Sequence, residues 1–465
     1  MSGISRRVSD TFITAHLAEI ATDVENLKLW TKIDMRVFGI EFDTNTTSPT
    51  LTRVNDSVGK VANAGIDAQV VTNDFDALPI FGEMREVTDS LGNVFIRIPK
   101  FYIYKSKGAK TVKKVSKYQW PDFYLPKVFW DFDNEVELDY FDFGKYKAGN
   151  DGSNRLTSKT DEYPLISQNI VTFRSRAQAN GAGYQQLDIH AYGVLTTLMQ
   201  IEFATLDMQS VMQGYTDGQY RATHTLTADT NPAGNTLVVT NATGALYGVG
   251  QAISVGTSLG GNQRFYGRTI TQIDADTPGA GSTTITFDGD TVALTTGDIL
   301  YNSGYKNGFS LGVVASSGSV SANDGKYPCS YRGIESPYGD IWQFVDGVNI
   351  MDLQAWICDN ADNYASDLYA NPYKQLTYIN ANSNNYVTEM GLDENNPSVE
   401  LPSAVGAIGS SPYRDYYYQS SGSRIALVGG RRGDGSGAGP ACWSLPNSSA
   451  TTDVSIGGRL LYKPI

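Results

Sequence analysis

Three histidines, three cysteines and an excess of carboxylates are the groups in this sequence that could do chemistry. Their placing argues against most of it. A Ser-His-Asp relay needs a histidine held between a serine and an acid, but His16, His190 and His224 fall in three different segments. Cys329, Cys358 and Cys442 are odd in number and form no CxxC pair, which disfavours a disulfide scaffold and a structural zinc site. Asp131 to Asp139 begins like a calcium loop, but Val136 stands where the sharp turn needs glycine. Its acids alternate with apolar residues, which predicts an amphipathic strand. Asp359 to Asn363 offers oxygens to a calcium ion and reads first as a polar turn. No pair among the many carboxylates stands out as the acid and nucleophile of a glycosidase. Arg432-Gly433-Asp434 spells an adhesion tripeptide of a kind that Gly-rich loops produce by chance. No cofactor and no metal is expected, and a structural calcium ion has no support.

With catalysis disfavoured, composition indicates what the surface is for. The chain has 465 residues, enough for two to four domains at about 150 residues each. Its net charge of −13 argues against a nucleic-acid binder that works by neutralising phosphates. Charged residues make up only 18%, while 28 tyrosines bring the aromatics to 11%. Such a chain folds, and its surface leans on Tyr, Asn, Ser, Thr and Gly. Binding loops use the same palette, because Tyr gives contact area at low entropy cost and the small polar residues adapt their hydrogen bonds. The N-terminus has no apolar signal core and no run of about 18 apolar residues occurs. No membrane insertion is expected, and the protein is expected to be made in a cytoplasm.

The elements that must hold such a surface divide the chain into stretches of different style. Ser9 and Asp10 are good helix caps, and Ile13, Leu17, Ile20, Val24 and Leu27 follow at spacings of 4, 3, 4 and 3. A helix over residues 9–34 is predicted, either lying on its own domain or oligomerising and docking. Residues 37–105 alternate like strands and read as a β-rich linking region. Helices are predicted over 174–182 and 187–209. From about residue 222 to 304 Lys and Arg nearly vanish, and short Thr- and Val-rich strands alternate with Gly and Asp turns. That is the pattern of a small sandwich or barrel inserted into its host. Residues 305–465 read as loop-heavy on a compact strand scaffold.

Two segments resemble a known family. "YRGIESPYGDIWQFVDG" (331–347) resembles a segment of the C-type-lectin-like fold of formylglycine-generating enzymes and their relatives. The closing segment resembles that of the same fold in phage tail proteins and the phage major tropism determinant. Gly429, Gly430, Gly435, Ala438, Gly439, Ser455, Ile456, Gly457 and Arg459 fit its frame. The resemblance covers most of the chain from about residue 77, the insertion aside. It implies an α+β protein: a C-type-lectin-like domain in two halves (106–221 and 305–465), split by the all-β module (222–304). Before it come the N-terminal helix (1–36) and the β-rich linking region (37–105). The chain departs from the frame with Arg432 where a Trp is common and Ala441 where a large aromatic is common. It also lacks the paired cysteines of the catalytic branch, since Cys442 is alone and Leu460 follows Arg459. A non-catalytic member is therefore implied.

In the tropism-determinant relatives the closing region is the receptor-contact face. Matching positions here are Arg431, Arg432, Asp434, Ser436, Trp443, Ser444, Asn447 and Ser448, and Tyr413, Tyr416, Tyr417 and Tyr418 are expected beside them. Trp, Tyr and Arg dominate binding hot spots. A core position for Trp443, and a strand with alternate tyrosines buried, are the competing readings. The expected function is a phage tail receptor-binding protein that recognises a host cell-surface glycan or protein. It would form a homotrimer, attach to other tail or baseplate proteins through its N-terminus, and reside in the virion. The alternative is a structural virion, baseplate or decoration protein.

Overall fold

The computed structural model describes residues 35–220 and 224–465, together with residue 21. The helix predicted over 9–34, His16 included, otherwise lies outside the described residues. Strands hold 37% of the residues and helices 12%. The expected α+β class, a C-type-lectin-like domain led by a helix, is therefore corrected: the molecule is mostly β, built from several separate sheets. The reason is physical. A strand that buries one face needs an apolar residue only at every second position. Here the outer positions carry Tyr, Asn, Thr and Ser, so the strands Lys374–Ile379 and Asn385–Met390 sit inside what reads as an Asn- and Tyr-rich loop.

The largest sheet has nine strands. At its centre the long strand Trp342–Met351 pairs with Ser423–Gly429, which pairs with Gly439–Ser444. Tyr416–Tyr418 lies parallel to Gly439–Ser444 and continues the sheet to Asn385–Met390 and Pro402–Gly406. Period-2 alternation sorts the side chains. Trp443, Tyr417, Ala426, Val428 and Val345 point into the main core, while Trp342, Phe344, Leu427 and Cys442 join a second cluster on the other face.

Helix Ile189–Phe203 fills the main core, with fourteen of its fifteen residues buried. An apolar helix with no polar face belongs inside a protein. The Asp188 carboxylate caps it by accepting the Ala191 N–H at 2.7 Å. Gly193 is required where the helix crosses the 398–399 backbone, because a Cβ there would stand 1.7 Å from the Ser398 carbonyl oxygen. At the far end Glu202 is fully buried, and an acid there opposes the helix dipole. Arg332 meets it with two hydrogen bonds of 2.7 Å, and Tyr331 and Asn73 donate to the same carboxylate. The predicted helix over 174–182 is found as Ile170–Gln178.

The strand Phe38–Asp43 pairs with Lys110–Ser116, and Tyr102–Lys107 forms a hairpin with Lys110–Ser116. One sheet thus crosses the 105/106 boundary expected between linking region and domain. The last strand, Leu460–Tyr462, lies between Tyr140–Gly144 and Tyr184–Gln186, so the end of the chain is woven into its first half. Between His224 and Asn302 a six-stranded sheet encloses its own core, which includes Leu237, Val255, Phe265, Ile285 and Leu300.

Candidate functional site

The twelve positions singled out from the sequence separate by burial. Tyr413, Tyr417, Arg432, Trp443 and Ser444 are buried, so a surface role for these five is corrected, except that Ser444 borders a groove. Trp443 packs edge-on to Tyr192 at 5.7 Å, and Tyr417 sits opposite it in the strand register. Both occupy inward positions of the sheet, which makes them core. Arg432 is buried because it passes beneath the inserted module. Its Nε donates to the Asn302 carbonyl at 2.7 Å, its Nη1 to the Asp340 carbonyl at 3.0 Å, and its guanidinium covers the Tyr220 ring. The Arg432-Gly433-Asp434 tripeptide is therefore not displayed. Tyr416, Tyr418, Arg431, Asp434, Asn447 and Ser448 are half-buried, and Ser436 is exposed.

Four of the twelve come together. Tyr418, Arg431, Ser444 and Asn447 line a groove of about 250 Å³ with Trp342, Leu427, Thr451 and Asp453. The sheet builds its aromatic side. Tyr386 and Tyr416 are cross-strand partners with rings 5.0 Å apart. Tyr416 meets Tyr418 at 4.7 Å, and Tyr418 meets Trp342 edge-on at 6.1 Å. The result is a row of four rings across three strands of the sheet, with Tyr386, Tyr416 and Tyr418 half-buried and Trp342 buried at its end. The closing loop builds the polar side. Asn447 Nδ2 donates to Ser444 Oγ at 3.3 Å. The Asp453 carboxylate accepts the Ser455 N–H at 2.7 Å and the Tyr220 hydroxyl at 3.4 Å. Arg431 lies over the Tyr220 ring at 4.6 Å, and its backbone N–H donates to Asp434 at 3.0 Å. Its guanidinium lies 3.5 Å from the Asp434 carboxylate, so its charge is answered within the wall.

An aromatic row beside amide, hydroxyl and carboxylate groups can stack on an apolar ring face and exchange hydrogen bonds with hydroxyls. Behind its wall the Ser455 hydroxyl donates to the Asp453 carboxylate at 2.6 Å. Elsewhere, His190 Nε2 lies 3.2 Å from the Cys358 carbonyl and 3.5 Å from Asp359. His224 Nδ1 lies 2.9 Å from the Tyr247 hydroxyl inside the module. The three thiols are free and buried, and burial raises their pKa values. The Asp131 carboxylate caps the turn of a short hairpin by accepting the Asp133 and Asn134 N–H groups. Asn360 caps a single 3-10 turn. Among the described residues, no group of three or more His, Cys, Asp or Glu side chains is arranged to hold a metal ion. No described helix is long and apolar enough to cross a membrane.

Sequence reasoning missed Trp342, Tyr386, Thr451 and Asp453. Trp342 and Tyr386 lie far from the closing segment along the chain, and strand pairing alone brings them to it. Thr451 and Asp453 stand inside that segment, but as small polar residues they carried no signal. No protein-family profile matches the chain, and no curated protein matches it.

Proposed function

We propose that this chain is a non-catalytic receptor-binding protein of a phage tail, which recognises a glycan or protein on the host cell surface. The observation that carries the reading is the half-open row Tyr386, Tyr416 and Tyr418, which is backed by the buried Trp342 and ends in the polar groove of Arg431, Ser444, Asn447 and Asp453. The resemblance of the closing segment to phage tail proteins supplies the class of partner. The protein is made in the host cytoplasm, joins the virion, attaches to other tail or baseplate proteins through its N-terminal region and acts as a homotrimer. Weak single-site affinity is then raised because several copies face one cell. At a net charge of −13, electrostatic steering toward an acidic cell envelope is absent, so contact chemistry carries the recognition.

The test is binding of fluorescently labelled protein to a panel of intact bacteria, comparing wild type with Tyr416→Ala/Tyr418→Ala and with Asn447→Ala. Point variants are the right tool, because replacing the whole closing segment would remove the core residues Tyr417 and Trp443. The expected result is a strain that wild type labels and the double variant labels at least tenfold less, at unchanged melting temperature and oligomer size. Equal labelling by wild type and variants, or labelling of no strain, overturns the reading.

A further inference from the structure

A cavity of about 520 Å³ lies apart from the aromatic groove, between the Trp130–Glu137 hairpin, the 181–185 turn, the 360–362 turn and the end of the last strand. A size of this order suits a small-molecule site, for which about 300–1,000 Å³ is usual. Lys463 is the group that distinguishes it. The Lys463 N–H donates to the Gly183 carbonyl at 2.9 Å. Gly183 has φ 78°, and a Cβ there would stand 2.1 Å from the Lys463 carbonyl oxygen, so the close approach that seats Lys463 needs glycine. The residue is 7% exposed. Its ammonium donates to the Trp130 carbonyl at 2.7 Å, which is its one acceptor among the described residues. An ammonium has three donors, so this buried lysine lines the cavity with hydrogen-bonding capacity to spare. Burial pushes its pKa down, against the nearby carboxylates Asp188, Asp131 and Asp362.

The other lining groups restrict what it could hold. Asp131, Asp133 and Asp362 border the cavity, so an anion would face three carboxylates for one ammonium. A metal cation has no built seat there, because no group of three or more His, Cys, Asp or Glu side chains among the described residues is arranged to hold one. Phe132, whose ring lies 5.7 Å from the ammonium, and Tyr184 supply apolar wall, and Gln185 adds an amide. We propose that this cavity is a binding site for a neutral saccharide unit, whose hydroxyls accept from Lys463 and donate to the aspartates while its C–H face lies on the aromatic wall. The site does not rest on the receptor reading of the groove and shares no residue with it.

The experiment is saturation-transfer NMR on the full chain, with glucose, galactose, mannose, rhamnose and N-acetylglucosamine as probes and glucuronate as the charged control. At least one neutral sugar is expected to bind in the millimolar range, and glucuronate more weakly. Lys463→Met and Ala182→Trp are each expected to weaken that binding at least fivefold, whereas Tyr416→Ala/Tyr418→Ala leaves it unchanged. Ala182 is exposed at the cavity edge, so a tryptophan there obstructs the site without entering the core and serves even if the lysine variant is unstable. No response from any neutral sugar, full response in Ala182→Trp, or tighter binding of glucuronate overturns the proposal.

Discussion

Arg459 shows how a single residue can act as frame. It is fully buried, and it donates to the carbonyls of Gly144, Lys145, Glu335 and Ser336 and to Gln343 Oε1, all at 2.8–3.0 Å. Burial pulls its pKa down to about 9, and Glu335 and Asp340 partly oppose the shift. Arg459→Met would take a donor from the carbonyls of Gly144, Glu335 and Ser336 and from Gln343 Oε1, each loss costing on the order of 1 kcal/mol or more, while the Lys145 carbonyl keeps the Glu335 N–H. The expected loss is roughly 3–5 kcal/mol, read as a lower urea midpoint. Arg459→Lys should recover less than half of it, because an ammonium cannot reproduce the planar five-donor fork. A Lys variant as stable as wild type would refute this account. The resemblance placed Arg459 in the frame beside Ser455 and Gly457 and Arg432 among the contact positions. Both are fully buried, yet Arg432 reads as a surface contact in a Gly-rich loop. What hides it is an inserted module whose position no local pattern encodes.

Among the elements, helix Ile189–Phe203 and the hairpin Tyr102–Ser116 carry the clearest consequences. Gly193→Ala places a methyl group against the Ser398 carbonyl in a helix enclosed on all sides. Overpacking of this kind costs about 1–3 kcal/mol, sometimes more, and a thermal melt should show it, although alanine is the better helix former. An unchanged melting temperature would mean that the helix has room to move. The hairpin is tied by charge to Glu400, just past the 398–399 backbone that crosses this helix, and by one amide to the helix itself. Lys105 and Lys113 both bond Glu400 at 2.8 Å, and Lys113 also bonds Gln200 at 2.8 Å. Burial raises the Glu400 pKa, but the two ammoniums outweigh it and hold the group at about 2, against 4.5 in an unfolded chain. A folded-state pKa below the unfolded one gives stability that is complete above about pH 4.5 and is lost as pH falls toward 2. The loss is on the order of 3 kcal/mol. Lys105 stays protonated over this range, since burial lowers its pKa only to about 8. Glu400→Gln should be less stable at pH 7 and should flatten the acid limb of the stability curve. An identical acid limb in both proteins would place the titrating group elsewhere. These elements were legible where their pattern is strong: the two longer helices among the described residues, and the run of strands after residue 222. The outer strands Lys374–Ile379 and Asn385–Met390 of the nine-stranded sheet were not, because their outward positions are polar. The groove was half legible, since Tyr418, Arg431, Ser444 and Asn447 share the closing stretch while Tyr386 and Trp342 reach it only through pairing.

Across the whole molecule, the module has a core of its own and meets the rest at its chain ends and along one side, where Tyr163 bonds Thr269 at 3.0 Å and Gly250 lies against the Phe309 ring. Its two chain ends meet, with the Gln219 N–H donating to Asn302 Oδ1 at 2.6 Å and the Asn302 N–H to the Gln219 carbonyl at 3.1 Å. Tyr220, Ile299, Tyr301 and Val454 form a small shared cluster, and Arg432 runs beneath it. The module's own core is separate and larger. Two separate cores should melt as two coupled units rather than one. Calorimetry is therefore expected to resolve two transitions. Leu237→Ala, a cavity in the module core costing about 2–5 kcal/mol, should lower only one of them. Arg432→Met should lower both, because it deprives Asn302 on the module side and Asp340 on the other of their shared donor. A single transition that shifts as a whole under Leu237→Ala would mean that the module and its host fold as one unit. The groove beside Tyr220 would then take its shape from the module as much as from the sheet.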